Sequence, residues 1–183
     1  MMTINIFANT NNYKGTAVFI IDLQYKLLEK VPLSSHHAID TLLKKNQELI
    51  SWAIRENVPV FIIETEGDGQ TIHKIMDQLK QHTHTIIQKE VDSAFFGKSE
   101  PVMIKQLQEW DINNIIVGGI NGCCCVHDTV LDAMVYLNLN VMTSSDLIGD
   151  INEDPILYPN DEWFWKISHK NFYIYENLNE IIK

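Results

Sequence analysis

The stretch NNIIVGGINGCCCVHDTVLDAM, residues 113–134, decides the fold. Its first part, NNIIVGGI (113–120), is a dense β-branched run, the mark of a strand buried on both faces. A turn with Asn121 and Gly122 follows. From about 124 to 138, Val126, Val130, Ala133, Met134 and Leu137 fall on one face at helical spacing. Strand, turn and helix in that order form half of a βαβ unit.

The same unit recurs along the chain. TAVFIID (16–22) is a buried strand, followed by a helix over 36–56 that carries Ile39, Leu42, Leu43, Leu49, Ile50 and Ala53 at helical spacing. VPVFIIE (58–64) is the second strand, TEGDGQ (65–70) a turn-rich loop, and 71–80 a short helix. THTIIQK (83–89) is the third strand, and a helix over 100–110 takes Ser99 as its cap and Pro101 as its first residue. NVMTSSD (140–146) and NFYIYE (171–176) are the fifth and sixth strands, with an irregular, part-helical region over 147–169 between them. The terminal NLNEIIK starts a last helix. Strands alternating with helices predict a mostly parallel six-stranded sheet in a three-layer α/β/α sandwich of Rossmann-like type. Residues 1–14 are polar and Asn-rich and read as a flexible arm, with 15–183 as a single domain.

Composition narrows the function classes. The chain has 183 residues, 45% of them hydrophobic, and a formal net charge of −10 from 24 acids and 14 bases. A nucleic-acid partner needs a basic face, so none is expected. The longest apolar runs, such as AVFII, are too short to span a membrane, and residues 1–14 lack the basic start and apolar stretch of an export signal. The three cysteines are adjacent, at 123–125. As a trio they cannot converge on one metal, and neighbours do not readily form a disulfide. The expected compartment is the cytoplasm, with reduced thiols.

In open parallel sheets ligands sit beyond the carboxyl ends of the strands. Asp22, Glu64, Lys89, the Gly118–Cys125 turn and Asp146 lie there. Cys125 falls in the first turn of its helix, where unpaired N–H groups and positive potential lower a thiol's pKa. Lys89 would lower it further, and Asp22 would accept its proton. Singly, each residue has a plainer reading: cysteine packs in the core, Asp caps a loop, and Lys is solvated. Together they form a nucleophile, a base and a cation on three strand ends.

Three segments resemble the isochorismatase-like cysteine hydrolases, a family that includes nicotinamidases and N-carbamoylsarcosine amidase-like enzymes. AVFIIDLQ resembles the family's first strand with its catalytic Asp, here Asp22. QKEVDSAFFG resembles its Lys followed by Ser-Ala-Phe, here Lys89. GGINGCCCVHDTVLDAM resembles its nucleophile turn, with Cys125 in the nucleophile's place and Val126, Asp132 and Ala133 in step. The resemblance implies a thioester-forming hydrolase of a small amide, without cofactor or metal. Vinyl-ether hydrolysis and a non-catalytic binding member are its alternatives.

It further implies a cis peptide at Ile120–Asn121, an oxyanion hole from the Asn121 and Cys125 N–H groups, and a homo-oligomer. Gln24 and Phe95, next to these motifs, are candidate substrate-binding residues. The sequence departs from the family at Gly122-Cys123, where a Thr-Asp pair would brace the turn. His127 and Asp128 replace small residues and are expected to point outward. Cys123 and Cys124 are packing or pocket residues. Glu64, Glu66 and His73 are a poor match to the nicotinamidase metal ligands. His82 and His84 read as surface residues. Trp163 and Trp165 are core, interface or pocket wall, and the aromatic content of 155–175 suits a buried interface.

Overall fold

The computed structural model describes residues 13–151, 167 and 169–182. Six strands form one all-parallel sheet: β1 Thr16–Ile21, β2 Val60–Thr65, β3 His84–Lys89, β4 Asn114–Gly119, β5 Asn140–Ser144 and β6 Phe172–Tyr175, in the order β3-β2-β1-β4-β5-β6. Among the described residues five α-helices accompany them: α1 Tyr25–Leu28, α2 His36–Arg55, α3 His73–Leu79, α4 Ser99–Glu109 and α5 Cys125–Val135. The strand order runs outward from β1 to β3, then restarts at β4 on the other side of β1. With right-handed crossovers, this reversal puts α2 and α3 on one face and α4 and α5 on the other. The three-layer sandwich expected from the sequence is the observed architecture.

The buried strands follow from their composition. Every residue of β1 is buried, and five of the six in β2 are too. Phe19 and Phe61 stack at 4.9 Å on the face that Phe95 and Trp110 cover, with Phe61 and Trp110 at 5.1 Å. Each such side chain contributes roughly 1.5–3 kcal/mol through burial. On the other face, Asn46 of α2 donates to the Leu147 carbonyl at 3.0 Å and comes so close to Gly118 that a Cβ there would meet its oxygen at 2.2 Å. Gly119 sits at φ +128°, and a Cβ on it would strike the Ile21 carbonyl at 2.1 Å. The glycine pair therefore lets β4 lie tightly against β1 and α2 just before the turn.

The boundaries differ from expectation in a few places. β1 stops at Ile21 because Asp22 adopts φ 56°, in the left-handed region, and turns the chain out of the sheet. Ser99 is the first helical residue of α4 rather than its cap; Lys98 precedes it, and the Ser99 hydroxyl donates to the Phe96 carbonyl at 3.0 Å. Pro101 lies in the first turn, where its missing N–H breaks no helical bond. The C-terminal segment forms only a 3₁₀ turn, Leu178–Glu180. Most of the expected 1–14 arm, and residues 155–166 and 168 of the 155–175 aromatic segment, with Trp163 and Trp165, lie outside the described residues.

Candidate functional site

The direction of the strand order reverses between β1 and β4, the position where open parallel sheets form their ligand crevice beyond the carboxyl ends of the strands. Three sequence-predicted residues meet there. Asp22 leaves the end of β1, Lys89 ends β3, and Cys125 opens α5 after β4. Lys89 Nζ lies 3.0 Å from Asp22 Oδ2, and the two side chains are 0% and 1% exposed. Cys125 is buried, and its thiol feels the charges of both groups.

The electrostatics differ from the sequence expectation at the thiol. Burial lifts the Asp22 carboxyl above its ordinary range, and the Lys89 charge with hydrogen bonds from Cys125, Lys89 and Thr65 only partly counters this. Burial alone would depress Lys89, but the charge of Asp22 outweighs it and raises the ammonium's pKa. Cys125 was expected to be acidified by the helix N-terminus and Lys89. Instead its pKa is raised, first by its hydrogen bond with Cys124, then by burial and by the negative charge of Asp22; Lys89 lowers it, but not enough. The half-buried Cys124 is the more acidic thiol, drawn down to about 7 by the hydrogen bond from Cys125. Burial pushes Cys123 up.

The turn before α5 is braced differently from the family pattern. The Ile120–Asn121 peptide is cis, as the resemblance implies. Where a Thr-Asp pair was missing, the braces come from the loop after β5. Asp150 accepts the Cys123 N–H at 3.2 Å, the Gly149 carbonyl accepts the Gly122 N–H at 2.9 Å, and the Asn121 side chain accepts the Ile151 N–H at 3.0 Å. The Asn121 carbonyl takes the Val126 N–H at 3.0 Å. Among the described residues no carbonyl accepts the Asn121 N–H.

Several residues take other places than expected. Gln24 is fully buried, and its amide pairs with the backbone of Thr65 and the Gly69 carbonyl, so both its N–H groups are engaged. Phe95 packs into the core 6.2 Å from Phe19; its neighbour Phe96 is the exposed one, at 65%. His127, expected to point outward, is buried on α5, with Nδ1 2.8 Å from the carboxylate of the half-exposed Asp128. Val126, Thr129 and Val130 around it on the same helix are buried as well. His82 and His84 are half-buried at the start of β3, hydrogen-bonded to the Val58 and His82 carbonyls at 2.6 and 2.8 Å.

Glu64 is buried inside β2 and is occupied by the Thr71 N–H at 2.7 Å and by Gln88, so it does not face a metal position. A different trio is brought together. Asp92, Cys124 and Cys125 place one carboxylate oxygen and two sulfurs within 4.8 Å of one another, with Cys125 Sγ 3.4 Å from Asp92 Oδ1. Two of the three adjacent thiols therefore do converge. Their donor set suits a soft divalent ion, although one of the sulfurs belongs to the Asp22–Lys89 site.

Thr65 and Asp92 were missed in the sequence reading. Thr65 stands one residue beyond the predicted end of β2, and Asp92 follows Lys89 by three. Looking one turn past each strand end would have found both. Asp92 also lines a cleft of about 460 Å³ with Val91, Ser93, Phe96, Asp128 and Leu131; Asp22, Lys89 and Cys125 are not among its lining residues.

The isochorismatase domain profile matches residues 16–156, which include every element from β1 to the turn after β5. The chain belongs to the isochorismatase family. Solved structures share the fold at low identity. The MAR1 ribonuclease from Caenorhabditis elegans superposes with a TM-score of 0.63 at 23% identity, covering 85% of this chain and 72% of that one. The YcaC gene product from Escherichia coli, described as an octameric hydrolase of unknown specificity, gives 0.68 at 17% identity, covering 93% and 79%. N-carbamoylsarcosine amidase from Thermoplasma acidophilum gives 0.66 at 15% identity, covering 87% and 95%. No curated protein sequence matches the chain. Among the described residues, no helix of this isochorismatase-family chain is long and apolar enough to cross a membrane.

Proposed function

We propose that the chain is a cysteine hydrolase that cleaves a small amide through a thioester on Cys125. The observation that carries this reading is the buried Asp22–Lys89 pair, 3.0 Å apart, beside a buried thiol at the crevice of the sheet. An ion pair in that position has no structural need for a cysteine next to it.

The chemistry follows from the protonation pattern. Cys125 rests as a thiol, because burial and its neighbours raise its pKa. Asp22, itself raised by burial, is a stronger base than an ordinary carboxylate. As Sγ attacks the substrate's carbonyl carbon, Asp22 takes the thiol proton. The N–H groups of Asn121 and Cys125 hold the oxyanion. When the tetrahedral adduct collapses, the C–N bond breaks and Asp22 returns its proton to the leaving amine. Asp22 then deprotonates a water that attacks the thioester, which releases the acid and the Cys125 thiol. Lys89 favours the ionised form of Asp22 between these proton transfers and holds its side chain in place. No cofactor takes part in these steps.

The amidase among the structural neighbours favours an amide over a vinyl ether. The octameric neighbour supports a homo-oligomer. The net charge of −10 weighs against a nucleic-acid substrate, and the reduced thiol that the reaction needs fits the cytoplasm. The test is ammonia release from a panel of small primary amides and N-carbamoyl compounds. We expect release with the native chain and none with Cys125→Ala or Asp22→Asn. Turnover that survives Cys125→Ala would contradict the reading and turn attention to acid chemistry by Asp22 alone.

A further inference from the structure

Resting on the cysteine-hydrolase reading, we propose that Thr65 is a positioning residue that joins Asp22 and Lys89 into one hydrogen-bonded unit, and that Gln24 holds Thr65 in place for this task. The Thr65 hydroxyl stands between the two charges. Lys89 Nζ donates to Thr65 Oγ1 at 2.7 Å, and Oγ1 is 3.1 Å from both Asp22 oxygens. With the lysine on the hydroxyl oxygen, the hydroxyl proton is directed at the carboxylate. Threonine thus donates to the base in its charged form.

The lysine is fully spent in the same unit. An ammonium has three N–H groups, and three acceptors surround this one: Asp22 Oδ2 at 3.0 Å, Thr65 Oγ1 at 2.7 Å and the Val91 carbonyl at 3.2 Å. Removing the Thr65 oxygen would leave one buried N–H without its acceptor and the carboxylate without its donor.

Gln24 explains why the hydroxyl stays there. β1 pairs with β2 only as far as Ile21 opposite Ile63. Beyond that point the Thr65 backbone has no strand on its β1 side. The Gln24 side-chain amide takes the missing place: its Oε1 accepts the Thr65 N–H at 2.8 Å, and its Nε2 donates to the Thr65 carbonyl at 2.9 Å and to Gly69. Its two bonds to Thr65 match what a further strand residue would make. The residue placed near substrate by the sequence thereby acts two steps away from it.

The experiment follows the rate of Cys125 carbamidomethylation by iodoacetamide against pH. Fragment-ion mass spectrometry separates Cys125 from Cys123 and Cys124. The native chain should show an acid limb set by Asp22. In Thr65→Val, which keeps the shape and removes the hydroxyl, the carboxylate loses a charge-assisted hydrogen bond. That bond's strength corresponds to a shift of the limb to higher pH by about one unit. Thr65→Ser should return the limb to the native position, and Thr65→Ala should shift it as Val does. A purely structural threonine would change the thermal midpoint or the plateau rate but leave the limb where it was. An unmoved limb in both Thr65→Val and Thr65→Ala overturns the proposal. A native chain in which Cys125 shows no pH-dependent reaction would instead overturn the cysteine-hydrolase reading beneath it.

Discussion

Replacing Lys89 by methionine probes the site's electrostatic core. The substitution keeps most of the side chain's length and removes the charge. Asp22 then keeps a carboxylate that is 1% exposed, and it loses the ammonium 3.0 Å away. Breaking a buried pair by removing one partner costs about 3–5 kcal/mol. In a domain of this size 1 kcal/mol moves the thermal midpoint by about 2–4 °C, so the midpoint should fall by on the order of 10 °C at pH 8.

The pH dependence identifies the cause. Without Lys89, burial raises the folded Asp22 pKa further, while the unfolded carboxyl stays near about 3.9. A group raised on folding binds its proton in the folded state where the unfolded chain has lost it. Its stabilising contribution is complete below the unfolded pKa and is lost as pH rises through the folded value. The native chain has the same sign but a smaller effect, because Lys89 opposes the shift. The gap between Lys89→Met and the native chain should therefore narrow as pH falls from 8 toward 5. Adding Asp22→Asn should recover part of the loss, which a double-mutant cycle by calorimetry would measure. A deficit below about 1 kcal/mol, or one equal at pH 8 and pH 5, would refute the reasoning.

Cys124→Ala should make Cys125 react several-fold faster with iodoacetamide near neutral pH, since the Cys124 hydrogen bond is the largest cause holding the Cys125 pKa up; an unchanged or slower rate would count against that cause. Gln24→Leu strands the Thr65 N–H and carbonyl, so it should cost roughly 2–4 kcal/mol in thermal or denaturant unfolding; a neutral result would show that the amide is dispensable.

Much of this architecture was legible because the informative residues are local. β1, β2, β4 and β5 are short apolar runs with few competing readings, and the alternation of strands with α2, α3, α4 and α5 leaves one class of sheet. The strand-end rule placed Asp22, Lys89 and Cys125 at one edge from their positions alone, and the family resemblance supplied the register that selects Cys125 among three thiols. What stayed hidden depends on tertiary geometry. Nothing in the letters IIETEG distinguishes Thr65 from its neighbours until β1 is known to stop at Ile21 and leave its backbone to Gln24. The brace of the nucleophile turn comes from Asp150, 27 positions beyond Cys123. The orientation of His127 depends on where α5 rests against the sheet. The thiol's raised pKa escaped because helix position and Lys89 were weighed without the charge of Asp22 and the sulfur of Cys124 on the other side.

The most direct test of the central claim is the covalent intermediate. The chain would be mixed with an amide that releases ammonia in the panel, quenched in acid within the first turnovers, and examined by intact-mass and peptide mass spectrometry. An acyl group, the substrate less its amine, should be attached to Cys125 in the native chain and absent from Cys125→Ala, which should also release no ammonia. An acyl group found on Cys124, or ammonia release that persists in Cys125→Ala, would contradict that claim.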